Sequence, residues 1–304
     1  MTRSRNILKN SPFNLLAEQT CGRQQIIKPI SGIYPIIQKM DENITITLVQ
    51  PDIVWESIGS NLEYYSSLFR QNSEKTDLIV LPEMFTTGFS MNTQYLAEKE
   101  GELTMKWMEK WSRKMDCVIT GSIIATERGH FFNRLVWMRP DGSCSFYDKR
   151  HLFRMGKEEL YYTRGTRKLI TEVRGWKICP LICYDLRFPV WSKNRYSNNQ
   201  WDYDILIYIA NWPASRDNIW TTLLTARAIE NQAFVAGVNR VGTDGNELSY
   251  TGNSMIVNLE GNVEGMCEKE YPDYKTFRIS SEKLAATRDK LGAGKDWDLF
   301  DLRI

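Results

Sequence analysis

Three residues that could act together each follow a short apolar run: Glu83 after DLIVLP, Lys149 after SFYD and Cys183 after KICPLI. A glutamate, a lysine and a cysteine make a complete set for acyl transfer. The carboxylate takes the thiol proton as a general base. The ammonium favours the thiolate and later opposes the charge of a tetrahedral oxyanion. The thiolate attacks a carbonyl carbon and forms a covalent intermediate. No imidazole is needed, which matters in a chain with only two histidines, His130 and His151. Each residue taken singly has a plainer explanation. Free cysteine is usually core, Glu83 after Pro82 could cap the next segment, and Lys149 between Asp148 and Arg150 could be a solvated turn charge. Their common placement at strand ends, where α/β sheets open ligand crevices, favours the chemical reading.

The elements that must position these residues are legible as alternating periods. Residues 43–50 (NITITLVQ) alternate and then run apolar, as a strand does. Ile58, Leu62, Tyr65 and Phe69 recur at helical spacing over 56–70. Residues 77–81 (DLIVL) and 117–125 (CVITGSIIA) fit strands buried on both faces. Between them 102–115 reads as a helix with Leu103, Trp107, Met108 and Trp111 on one side. Hairpins follow over 134–148, turning at Pro140-Asp141-Gly142, and over 169–183, turning at Arg174-Gly175. The rest reads as helix 190–197, strand 204–210, helix 218–232, strand 233–238, a hairpin over 254–266 and a strand at 275–279. This pattern predicts a mixed α/β sheet arrangement, two sheets face to face with helices outside, in one domain over 40–304.

Composition narrows the function further. The formal net charge is +2, so no electrostatic case exists for nucleic acid. No apolar run approaches the roughly 20 residues that span a bilayer. The six cysteines contain no CxxC pair, and with two histidines they argue against a metal site. Thiols left free predict a reducing, cytoplasmic setting. Residues 1–39 carry six Lys or Arg against one acidic residue, Glu18, without sustained periodicity. They are expected to be a poorly ordered basic extension, either a transit peptide or sequence upstream of a start at Met40.

LPEMFTTGF (81–89), YDKRHLF (147–153) and LICYDLRFP (181–189) together resemble the nitrilase, or carbon–nitrogen hydrolase, superfamily and its bacterial omega-amidase branch. ANWPASR (210–216), LLTARAIENQAFVAGVNRVG (223–242) and YTGNSMIVNLEG (250–261) support the resemblance, which spans about 40–300. It implies a four-layer α/β/β/α sandwich, commonly dimerised, and a Glu–Lys–Cys triad at Glu83, Lys149 and Cys183. A second glutamate of the family lies seven residues before a glycine. Glu158 before Gly165 fits, with Glu159 the competing assignment.

The resemblance also implies hydrolysis, through a cysteine thioester and without cofactor, of the terminal amide of 2-oxo dicarboxylic acid monoamides such as 2-oxoglutaramate and 2-oxosuccinamate. Another amide or carbamoyl amine is the alternative within the family. A catalytically silent binding protein on the same fold is the alternative outside enzymes. Lys149 and the backbone N–H of Tyr184 are expected to hold the oxyanion, while Asp185 and Arg187 pair with each other or with neighbours to fix the turn. A substrate carboxylate calls for a cation, with Arg154 the first candidate and Arg187 the second. Phe85, Phe89 and Trp212 are the expected apolar walls.

Overall fold

The structure is a computed structural model and describes residues 40–72, 74–298 and 300–302. The extension expected over 1–39 lies outside the described residues. The first half of the chain forms β1 (Asn43–Gln50), α1 (Ile58–Gln71), β2 (Leu78–Val80), α2 (Thr93–Leu96), α3 (Leu103–Met115), β3 (Val118–Glu127), β4 (His130–Met138) and β5 (Cys144–Asp148). The second half begins with β6 (Thr171–Val173), β7 (Trp176–Ile182), α4 (Pro189–Ser192), β8 (Tyr196–Ser197), β9 (Gln200–Trp201), β10 (Ile205–Ile209) and α5 (Asp217–Asn231). It ends with β11 (Phe234–Val238), β12 (Val241–Thr243), β13 (Ser249–Thr251), β14 (Met255–Val257), β15 (Val263–Met266), β16 (Asp273–Ser280) and α6 (Ser281–Leu291).

Twelve of these strands form two six-stranded sheets, ordered β16-β1-β2-β3-β4-β5 and β15-β14-β11-β10-β7-β6. In each, a parallel centre is flanked by antiparallel strands: β1, β2 and β3 run parallel in the first, β7, β10 and β11 in the second. Alternation along the strands builds four layers. On β2, Ile79 joins a cluster with Leu62, Tyr65 and Phe69 of α1 and Trp107, Met108 and Trp111 of α3. Its neighbours Leu78 and Val80 face the other way, into a core shared with Ile178 and Ile207 of the second sheet. The far face of that sheet is covered by Trp220, Leu224 and Ala228 of α5. The result is the expected α/β/β/α sandwich. Among the described residues no helix is long and apolar enough to cross a membrane.

Two local expectations are corrected. The helix expected over 190–197 stops at Ser192, after Pro189 at its first position, and a short β8–β9 hairpin follows. Buried Asn194 explains the break. Its amide donates to the carbonyls of Tyr203 and Asn231 and accepts from the Tyr203 N–H, bonds that need extended chain. The helix α6 was not expected. It buries only Leu284 and so carries almost no apolar stripe, although Ser280 caps it by accepting from the Glu282 N–H.

Gly237 of β11 shows how closely α5 sits on the second sheet. A Cβ there would lie 2.4 Å from Leu224 Cδ1 and 2.9 Å from Trp220 Cζ2. Gly237→Ala is therefore expected to lower stability by about 1–3 kcal/mol through overpacking. Thermal unfolding of the two proteins measures this, and an unchanged midpoint would contradict the packing of α5 on β11.

Candidate active site

Glu83, Lys149 and Cys183 each sit just past a strand end, and the two sheets bring those ends together. Glu83 follows β2, and the backbone turns at once: Met84 has φ +43° and its N–H donates to Ser122 Oγ. Lys149 follows β5, with its N–H donating to the Asn133 carbonyl of β4. Cys183 follows β7 and opens a short 3-10 turn, Cys183–Arg187, with φ +42°. That left-handed conformation is uncommon for a residue with a Cβ and marks a position held by its surroundings.

Lys149 is completely buried and joins the two carboxylates. Its Nζ donates to Glu83 Oε1 at 2.8 Å and to Glu158 Oε1 and Oε2 at 3.0 and 2.9 Å. Glu158 is fully buried against Lys149, whereas Glu159 is exposed. The loop from Glu158 returns to β5 at Gly165, whose N–H donates to the Lys149 carbonyl at 2.8 Å. A Cβ on Gly165 would lie 2.0 Å from the Asp148 carbonyl oxygen, which is why the seven-residue spacing ends in glycine. Two asparagines complete the cluster. Asn133 Nδ2 donates to Glu83 Oε1 and Glu158 Oε1, and the Asn211 N–H donates to Glu83 Oε2.

Burial acts on each ionisable group. Desolvation alone would lower the Lys149 pKa, but Glu158 and Glu83 outweigh it and hold the ammonium charged. Desolvation raises the Glu158 pKa; Lys149 pulls it back and Glu83 pushes it further up. The Cys183 thiol is exposed only to a cavity, and desolvation followed by the Glu83 charge raises its pKa well above the usual value. Lys149 opposes that shift without reversing it. The group at rest is thus a neutral thiol beside a carboxylate, as a general-base role for Glu83 requires.

Asp185 fixes the turn that carries Cys183. Its Oδ2 accepts from the Ile182 N–H and the Tyr147 hydroxyl, and its Oδ1 from the His151 N–H and Nδ1. None of these partners is Arg187, so of the two expected ways to fix the turn Asp185 takes the pairing with neighbours. His151, stacked on Phe188 at 3.7 Å, belongs to this anchor.

Cys183 and Lys149 open into a cavity of about 550 Å³, lined also by Phe89, Tyr184, Arg187, Trp212 and Arg216. These coordinates agree with the relatives of the sequence. Residues 45–289 match the family model for carbon-nitrogen hydrolase. The chain belongs to the carbon–nitrogen hydrolase family. It is 44% identical over 257 residues to the omega-amidase YafV of Yersinia enterocolitica, covering 84% of this chain and 98% of that protein. It is 32% identical to the 2-oxoglutaramate amidase of Bacillus subtilis, covering 72% and 84%. A crystal structure of a CN-hydrolase superfamily protein from Xanthomonas campestris, with an arsenic adduct in its active site, superposes with a TM-score of 0.83. It is 42% identical, and the match covers 86% of this chain and 99% of that one.

Within this carbon–nitrogen hydrolase, two expected substrate contacts move. Phe85 is fully buried away from the cavity, edge-on to Tyr65 and tilted against Trp107 in the core under α1 and α3. Its place in the wall is taken by Phe89, which lies 5.1 Å from Lys149 Nζ. Arg154 is exposed and does not line the cavity, because the 3-10 turn at Arg154–Gly156 presents Met155 and Gly156 instead. Arg187 and Arg216 do line it, over the rings of Trp212 at 5.2 Å and Phe153 at 5.4 Å. Sequence reading missed Asn133, Asn211 and Arg216. Asn133 carried a signal, a polar residue inside the strand FFNRL, and the other two lay within the quoted ANWPASR.

Glu158→Gln keeps the shape of that side chain and removes its charge. It is expected to lower kcat roughly 10²-fold or more, on the scale of a lost oxyanion-hole donor, by freeing Lys149 from its clamp. Glu159→Gln is expected to leave the rate unchanged. Steady-state kinetics of both variants check the assignment, and equal losses would overturn it.

Proposed function

We propose that this chain is an omega-amidase, hydrolysing the terminal amide of 2-oxo dicarboxylic acid monoamides to the 2-oxo acid and ammonia. The single observation that carries the substrate class is the pair Arg187 and Arg216. Both line the cavity above Cys183, and neither meets a carboxylate among the described residues. The two acidic residues of the same cavity are already engaged. Glu56 accepts from Ser90 Oγ and Asn92 Nδ2, and Asp244 from the N–H groups of Asn246 and Leu248 and the hydroxyl of Tyr250. A cavity with two unpaired guanidinium groups favours a substrate with an anionic end. The YafV proteins and the Bacillus subtilis amidase point to the same chemistry by their names.

In this proposal Glu83 takes the Cys183 proton as Sγ attacks the amide carbonyl carbon. The neutral resting thiol makes this base necessary. The oxyanion is met by the Lys149 charge and by the Tyr184 N–H. Tyr184 is the second residue of its 3-10 turn, so that N–H has no intrahelical acceptor. At rest all three Lys149 donors end on carboxylate oxygens, so a direct bond to the oxyanion requires release of one Glu158 contact. Collapse breaks the C–N bond, and Glu83 returns the proton to the leaving nitrogen, giving ammonia and a thioester. Water, deprotonated by Glu83, attacks the thioester carbonyl. The carboxylic acid leaves and Cys183 regains its proton.

Three further parts complete the proposal. The five described cysteines are free, which supports a reducing, cytoplasmic setting. Val190 of α4 and Ile229 of α5 expose apolar side chains on the outer layer, which supports a homodimer through that face. Residues 1–39 are proposed to be dispensable for the reaction, because the carbon–nitrogen hydrolase match starts at 45.

The decisive measurement is ammonia release from 2-oxoglutaramate. Wild-type protein is expected to be active and Cys183→Ala silent. Arg187→Ala and Arg216→Ala are each expected to raise KM about tenfold or more, the scale of a lost charge-assisted hydrogen bond of about 1.5–3 kcal/mol. They should affect an uncharged aliphatic amide far less. A wild type that spares 2-oxoglutaramate but hydrolyses the uncharged amide would overturn the substrate class while leaving the nucleophile intact.

A further inference from the structure

Asn133 lies in the middle of β4, fully buried, where its side chain, like that of Lys149, reaches both glutamates. Its Nδ2 spends one hydrogen on Glu83 Oε1 at 2.8 Å and the other on Glu158 Oε1 at 3.2 Å. Its backbone carbonyl accepts from the Lys149 N–H at 3.0 Å, so the same residue also sets where the lysine leaves β5. Its Oδ1 has no partner among the described residues. A buried amide that leaves its acceptor empty while both donor hydrogens meet carboxylates is placed for donation.

The charges explain why a neutral donor belongs there. Two carboxylates share one ammonium in a site closed to bulk water. Like charges so close tend to take up a proton between them. A proton on Glu83 would remove the base that Cys183 needs. A second cation would hold both carboxylates ionised, but would make Glu83 a weaker base towards a thiol that burial keeps protonated. An amide donates to carboxylates without adding charge. The groups facing the pair are Lys149 from β5, Cys183 from β7, the Asn211 and Phe153 N–H groups, and at longer range Tyr162 and Glu56. Among these contacts only Lys149 and Asn133 bridge the two glutamates.

We propose that Asn133 is a positioning residue of the reaction, whose amide holds Glu83 and Glu158 doubly ionised and in one fixed geometry about Lys149. The idea rests on the amidase reading for its consequence in turnover, but the state of the Glu83–Cys183 pair can be read without any amide substrate. The test therefore has two readouts. One is the pH dependence of Cys183 alkylation by iodoacetamide, followed by peptide mass mapping against a Cys183→Ala control. The other is the pH profile of kcat/KM for ammonia release.

Asn133→Leu has nearly the same volume and no donor, and Asn133→Asp replaces the donor by a third carboxylate. In each the carboxylates keep a proton to higher pH. The acid limb of both profiles is expected to move up by about one pH unit or more, further for Asn133→Asp, with rates above the limb partly recovering. A merely structural asparagine would lower the unfolding temperature and depress the rate at every pH with the limb unmoved, and that result overturns the proposal. Should Asn133→Leu fail to fold, the polar Asn133→Asp protein decides alone by the same criterion. If wild type releases no ammonia but the alkylation limb still moves, the substrate reading falls and the role of Asn133 stands.

Discussion

The structure is organised around one buried ammonium. Lys149 is fully buried, and its three hydrogens end on the oxygens of Glu83 and Glu158. Removing one partner of such a cluster leaves a bare charge in a dry site, at a cost of about 3–5 kcal/mol. The fold accordingly supplies every carboxylate oxygen with a donor. Those donors come from β4 through Asn133, from the loop after β5 through the Phe153 N–H, and from the end of β10 through the Asn211 N–H. The last is the most consequential. Glu83 belongs to the first sheet and Asn211 to the second, and a further bond joins Asn211 Nδ2 to the Glu83 carbonyl. A slide of one sheet over the other would break the charge cluster before it disturbed much of the apolar core, whose contacts are non-directional. The cluster therefore fixes the register of the sandwich as well as the geometry of the reaction.

The proposed nucleophile is constrained from the opposite side. Cys183 is held in a left-handed conformation by a turn whose anchor, Asp185, draws donors from β7, from Tyr147 of β5 and from His151. Again both sheets contribute. Because desolvation dominates, the site does not store a thiolate. It stores a thiol within reach of a base, and the charge separates when a carbonyl arrives to accept the electron pair. A resting neutral thiol also reacts slowly with oxidants, which act on the thiolate.

What the sequence disclosed follows the same division. The strand ends were legible because each apolar run stops abruptly at a single ionisable residue, and burial on both faces leaves no other reading of runs such as ILIYI. The helices α1 and α3 were legible through aromatic stripes. Side-chain direction just beyond a strand end was not. By strand alternation Glu83 and Phe85 share a face with Ile79 and Leu81. Glu83 leaves that face to reach Lys149, while Phe85, beyond the positive φ at Met84, packs on the helix side. Arg154 was misjudged for a related reason: adjacency to a catalytic segment says nothing about which way a 3-10 turn points. The partners of Asn194 and Asn133 were not legible, because they lie elsewhere along the chain and no local period encodes a tertiary hydrogen bond.

The two halves of the site differ in a way that bears on specificity. At the reacting end the groups are buried and almost fully partnered, and little can be exchanged there without leaving a charge exposed to an apolar core. At the recognising end Arg187 and Arg216 are half-buried, lie over Trp212 and Phe153, and keep their hydrogen-bond donors for whatever enters. Aromatic stacking orients a guanidinium at small entropic cost while leaving its edge free. Replacing either arginine alters what the cavity welcomes without touching the charge cluster or the sheet register. A change of substrate at these two positions would therefore cost the structure little, whereas a change at Lys149 would break the charge cluster.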